Sequence, residues 1–228
     1  MEAQLDWIAA RGFGGVEIAW VYPYADPAPT DTPVWLGDDW QAAVTAAARG
    51  CVERDLGCDF TFGTLWPFGG SWVSREDASQ TVCGISGQRL RDTWEAAHGV
   101  RESYIVDHLD GDAIRRYGRR ILEALLPAIR VAESGGTPCA LFSDSWEVEP
   151  EGLWRRGFAA AFESRFGYGI TPYMGELDRN PGPASDYFRL RSDYVLGEFF
   201  DAFGEICDSV GAVSRVQCHG APTDLIAA

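Results

Sequence analysis

Short apolar runs alternate along this chain with stretches whose apolar residues recur every three or four positions, and no other feature restricts the fold as much. Residues 2–11 place Leu5, Ile8 and Ala9 on one helical face, with Gly12 at a natural stop. A strand follows from Gly14 to Trp20, then a proline-rich loop. Trp40, Val44, Ala47 and Cys51 stripe a helix from Asp38 to Leu56, ahead of the strand CDFTFGT. A polar stretch then leads to SYIVDHLD, read as a third strand. A helical pattern from about Gly111 to Glu133 holds Pro127, a point where a helix breaks. The fourth strand is CALFSDSWE. Trp154, Phe158, Phe162 and Phe166 mark another helix, and a long one runs from about Ala184 to Val210 before a fifth strand, AVSRVQCH.

Strands alternating with helices predict an α/β domain with a mainly parallel sheet. About five parallel strands suit either an open doubly wound sheet or an incomplete (β/α)8 TIM-type barrel with its helices outside, since a whole barrel takes eight strands and ~250 residues. The barrel is favoured by where polar and aromatic residues gather. Glu17, Trp20, Trp66, Asp107, His108, Asp144 to Glu147, Gln217 and His219 all fall at or just after strand ends, which in a barrel converge on one face.

Composition removes several functions. The 34 acidic and 19 basic residues give a formal charge of −15, which repels phosphate backbones and anionic membranes, so nucleic acid is not an expected partner. No apolar run nears the ~20 residues of a membrane-spanning helix, and Met1 leads into an amphipathic helix instead of a signal sequence. Every basic residue is arginine, so neither Schiff-base lysine chemistry nor a Walker phosphate loop can operate within the segment. The six cysteines form no C-x-x-C pair and read as buried thiols. No G-x-G-x-x-G follows a strand and no G-x-S-x-G is present.

The strongest local signal is Ser143-Asp144-Ser145-Trp146-Glu147 after the apolar CALF. Cleaving a glycosidic bond takes a carboxylic acid to protonate the leaving oxygen and a second carboxylate across the ring. Glu147 is the candidate acid, with the Trp146 indole as a surface that raises a carboxyl pKa by desolvation. Equally, Asp144 caps a following helix and Glu147 is a solvated first-turn acid. Glu17, set in an apolar strand, either enters a polar barrel mouth or faces solvent. Trp66, Phe68 and Trp72 offer rings to sugar faces, or fill a core. Asp107-His108 and Gln217-Cys218-His219 carry groups that hold hydroxyls. Three histidines without H-x-x-x-H spacing argue against zinc, whereas calcium leaves no compact signature.

Taken in order, LDWIAARGFGGVEI, GTLWPFGGSWVS, SGQRLRD, YIVDHLD, LFSDSWEV, FESRFGYGITPYM and SRVQCHGAPTDL resemble the barrel of glycoside hydrolase family 106, the α-L-rhamnosidases. The resemblance spans nearly the whole chain. It implies an inverting α-L-rhamnosidase, a calcium requirement, rhamnose-containing oligosaccharides or glycosides as substrates, and a secreted or periplasmic setting. It places the catalytic acid at Glu147. Substrate or metal-site roles would fall on Glu17, Trp66, Asp107, His108, Asp144, Trp146, Gln217 and His219. It further implies that residues 1–228 are a partial barrel catalytic domain truncated at both ends, with a strand before Leu5 and the base carboxylate beyond Ala228. Two other readings stand beside it: a non-catalytic carbohydrate-binding relative, and a metal-dependent barrel sugar isomerase or lyase.

Overall fold

The computed structural model describes residues 1–19, 33–63, 67, 69–82, 84–85, 87–89, 102–146, 148 and 152–227. Helix α1 (Glu2–Ala10) ends at Gly12, whose φ of 78° suits a residue without a side chain. It feeds β1 (Gly15–Ile18). Helix α2 (Asp38–Val52) opens on two aspartates that complement its N-terminal dipole and buries Trp40, Val44, Ala48 and Cys51, a stripe at helical spacing. β2 (Gly57–Thr61) lies parallel to β1, with Gly15 against Gly57; a Cβ on Gly15 would stand 2.8 Å from the Gly57 carbonyl oxygen.

Five short strands follow: β3 (Gly69–Gly70), β4 (Gln80–Thr81), β5 (Gly84–Ile85), β6 (Gly87–Arg89) and β7 (Glu102–Ile105). Helix α3 (Gly111–Ser134) is capped by the Asp110 carboxylate, which accepts from the amides of Asp112 and Ala113. It runs unbroken through Pro127. That residue is exposed, so water can take the Glu123 carbonyl that a proline nitrogen leaves without a donor. β8 (Ala140–Ser143) and β9 (Leu153–Trp154) precede α4 (Phe158–Phe166), which starts only after Gly157 because Trp154 pairs with Gln80. Two 3-10 turns lead to α5 (Pro181–Tyr194), a π-helical segment (Val195–Phe200) and α6 (Asp201–Asp208), where a single helix was expected. β10 (Val213–Val216) closes the series.

The main sheet has four parallel strands in the order β1-β2-β8-β10, so each strand lies beside its predecessor in the chain within that sheet. The expected third parallel strand is absent from it. β7 instead pairs antiparallel with β3 and β6, because β8 occupies the edge of β2: Phe60 lies opposite Leu141, and the Phe62 amide donates to the Phe142 carbonyl at 2.7 Å. A third small sheet joins β5, β4 and β9.

Alternation along the strands sends Cys58, Phe60 and Leu141 to one face, where helices α2, α3 and α6 cover them. Phe60, Phe62, Ile114, Ile121, Leu125 and Phe203 are essentially sealed there, each contributing about 1.5–3 kcal/mol of hydrophobic burial. Gly118 permits the close approach of α3 to α6: a Cβ on it would stand 2.4 Å from the Ile206 methyl. A smaller cluster of Phe158, Phe162, Ile170, Tyr187 and Leu190 organises α4 and α5. Among the described residues no helix is long and apolar enough to cross a membrane.

Candidate functional site

The opposite sheet face carries charge. Glu17 on β1 and Asp59 on β2 are register partners and point the same way. The Thr61 hydroxyl donates to Glu17 Oε1 at 2.7 Å. From β10, the Arg215 guanidinium donates to the other Glu17 oxygen and lies 3.6 Å from Asp59 Oδ2, passing 4.5 Å above the centre of the Phe142 ring on β8. Asp59 Oδ1 also accepts the Ala140 amide at 2.8 Å. The pair therefore joins the two edge strands across both strands between them. Neighbouring strands stand about 4.8 Å apart, so in a flat sheet the two side chains would have to bridge some 14 Å. An extended arginine and an extended glutamate, joined by a hydrogen bond, together cover that span.

Beyond the C-terminal strand ends, two sequence segments are laced together. The Gln217 amide continues the ladder to the Ser143 carbonyl at 2.8 Å, and the Trp146 amide donates to the His219 carbonyl at 2.9 Å. Asp144 Oδ1 accepts from the Ser145 amide at 2.7 Å, while the Ser145 hydroxyl reaches Gln217 Oε1 at 3.3 Å. Asp144 is half-buried, and Gln217 and His219 are exposed. These three form a rim with a carboxylate, an amide and an imidazole, groups suited to a ligand rich in hydroxyls.

Trp146, Asp107 and His108 sit deeper. The Trp146 ring is 1% exposed and meets His108 edge-on at 4.7 Å and Phe199 at 4.8 Å, while His108 stacks flat on Phe199. His108 Nδ1 carries its proton toward the Val106 carbonyl at 2.7 Å. Complete burial pushes the imidazole down to about 4, since the charged form loses its hydration. Asp107, on the turn into α3, receives the Leu109 amide at 2.9 Å. Burial raises its carboxyl to about 7, only partly offset by that amide. Two sequence-predicted residues, Trp66 and Glu147, lie outside the described residues, as do Trp20 and Phe68.

The structure thus gathers Asp144, Gln217 and His219 at one rim, sets Glu17 lower on the same sheet face, and seats Trp146, Asp107 and His108 in the packed interior. Asp59, Thr61 and Arg215 were missed by the sequence reading. Asp59, like Glu17, is a charged residue set between apolar strand neighbours, whereas Thr61 carries no such signal. Glu198 was also missed: its carboxylate accepts the Gly111 amide at 3.0 Å and pairs with Arg155 at 2.7 Å. Its orientation depends on the π-helical segment, which periodicity does not reveal.

Among the described residues no three His, Cys, Asp or Glu side chains are grouped to hold a metal ion, and the facing carboxylates of Glu17 and Asp59 share Arg215.

No protein-family model and no curated protein matches the chain. Among solved structures, a rhamnosidase from Novosphingobium sp. PP1Y is similar over 52% of this chain and 12% of its own, with 21% identity and a TM-score of 0.36. The chain spans about an eighth of that protein's length.

Proposed function

We propose that this chain forms part of the catalytic barrel of an inverting glycoside hydrolase that releases terminal α-L-rhamnose. The observation that carries the reading is the lacing of Ser145 and Trp146 to Gln217 and His219 beyond adjacent strand ends. These belong to two of the segments that together carry the resemblance to family 106. The sequential strand order supports a partial barrel, whose mouth is where carboxylates act together.

In this reading Glu147 protonates the departing glycosidic oxygen. Asp144, Gln217 and His219 hold ring hydroxyls, and Trp66 offers its indole face to the sugar. Asp107, His108 and Trp146 support that rim from the interior. An inverting reaction also needs a carboxylate that activates water on the far side of the ring, roughly 6.5–9.5 Å from the acid. That group is assigned outside residues 1–228.

The test is hydrolysis of aryl glycosides by the full-length gene product, followed by NMR of the first-formed sugar. Release of rhamnose in the β configuration from an α-rhamnoside, with glucosides and galactosides untouched, is the expected outcome. Cleavage of another sugar, or retention of configuration, contradicts it.

A further inference from the structure

Phe199, sealed from solvent in the π-helical segment, wedges between a residue from the turn into α3 and one from beyond β8. Its ring lies flat against His108, with centres 5.4 Å apart and 7° between the planes, and meets the Trp146 ring edge-on at 4.8 Å. His108 closes the triangle, edge-on to Trp146 at 4.7 Å. Trp146 is held from a further side by its amide, which donates to the His219 carbonyl at 2.9 Å. Glu147 is the next residue in the chain, so the contacts that fix the indole also fix the peptide leading to that carboxyl. The π turn is itself pinned through Glu198. Its Oε2 accepts the Gly111 amide at 3.0 Å, in the first turn of α3 where the helix dipole favours a carboxylate, and its Oε1 accepts from Arg155, just beyond β9, at 2.7 Å. The Arg155 guanidinium in turn lies 4.6 Å from the centre of the Tyr194 ring, at the end of α5.

We infer that Phe199 is a positioning residue for the proton donor: through Trp146 it orients the Glu147 carboxyl toward the departing oxygen, and Glu198 holds Phe199 in place from α3 and Arg155. The inference rests on Glu147 being the acid, as proposed above, and names what orients it. Phe199 touches no substrate. It acts because a proton donor works only within hydrogen-bond reach of the oxygen it protonates, and a misplacement of about 1 Å costs on the order of 10²-fold in rate. An i→i+5 turn aims its side chains differently from the α-helices on either side, which is how this segment brings Phe199 to the pair from α3 and β8 while α5 and α6 keep their own packing.

The experiment places Phe199→Leu and Glu198→Ala in the full-length gene product, with Glu147→Gln alongside, and measures kcat/KM on an alkyl α-rhamnoside and on a dinitrophenyl α-rhamnoside. A smaller folded fraction lowers both values by one factor, so their ratio reads the proton donor and not stability. Phe199→Leu keeps an apolar side chain in the site and removes the ring. It should lower the alkyl value on the order of 10²-fold and leave the dinitrophenyl value within about threefold. Glu198→Ala, which leaves the aromatic triangle intact and frees the turn that carries it, should shift the ratio in the same sense by about tenfold. An unchanged ratio in Phe199→Leu, or in Glu198→Ala where the first variant does not fold, overturns the inference while a selective loss in Glu147→Gln leaves the acid assignment standing. Equal losses on both substrates in Glu147→Gln overturn the assignment and the inference together.

Discussion

Arg215 and Glu17 form an ion pair that spans the main sheet from one edge strand to the other. Because the guanidinium also lies over Phe142 and near Asp59, a single side chain faces two carboxylates and touches three strands besides its own.

Arg215→Ala should therefore destabilise the fold by about 1 kcal/mol, a modest figure because the guanidinium is 45% exposed and solvent screens the pair. The loss should shrink in high salt. In a double-mutant cycle, Glu17→Gln should remove most of the further effect of Arg215→Ala in urea titrations. Strictly additive losses would mean that the two groups do not interact.

Adjacent residues Asp107 and His108 bias stability in opposite directions over nearly the same pH window. Asp107 is raised to about 7, so between about pH 4 and 7 the folded chain holds a proton that the unfolded chain has released, and stability falls as pH rises. His108 is lowered to about 4, so between about pH 4 and 6.5 the unfolded chain holds the extra proton, and stability rises with pH. The two slopes, each up to about 1.4 kcal/mol per pH unit, offset one another. Asp107→Asn should unmask a rise with pH over this range, and His108→Phe a fall. Urea unfolding at intervals from pH 4 to 8 reads both, and identical slopes in the two variants would refute the assignment.

Pro127→Ala should stabilise the chain by about 1–2 kcal/mol, because α3 already continues through this exposed position and alanine restores the amide for the Glu123 carbonyl. Thermal unfolding reads the gain. An unchanged or lower midpoint would show that the proline serves the fold in some other way.

Gly118→Ala should cost about 1–3 kcal/mol, since its methyl would press on Ile206 where α3 meets α6. Pairing it with Ile206→Val should recover part of the loss. Failure of that rescue, measured by denaturant midpoint, would place the strain elsewhere.

Much of the element order could be read from periodicity, because the stripes in α2 and α3 and the apolar runs of β2 and β8 reflect burial against a sheet. Strand partnership could not. The segment around Tyr104 and Ile105 is as apolar as a core strand, yet the neighbouring position is held by β8, a consequence of three-dimensional competition that leaves no local mark. The site divided in the same way. Asp144, Gln217 and His219 fall at strand ends, which the sequence reveals, whereas the burial of His108 and Trp146 depends on Phe199 arriving from the π-helical segment much later in the chain.

The most direct test of the functional account is the dependence of hydrolysis on the leaving group when Glu147→Gln is introduced into the full-length gene product. A proton donor matters most when the departing oxygen is a poor leaving group. The variant should lose on the order of 10²–10⁴-fold in kcat/KM on an alkyl rhamnoside or a rhamnosyl disaccharide, and far less on a dinitrophenyl rhamnoside. An equal loss on both substrates, or none on either, would contradict the assignment of Glu147 as the acid.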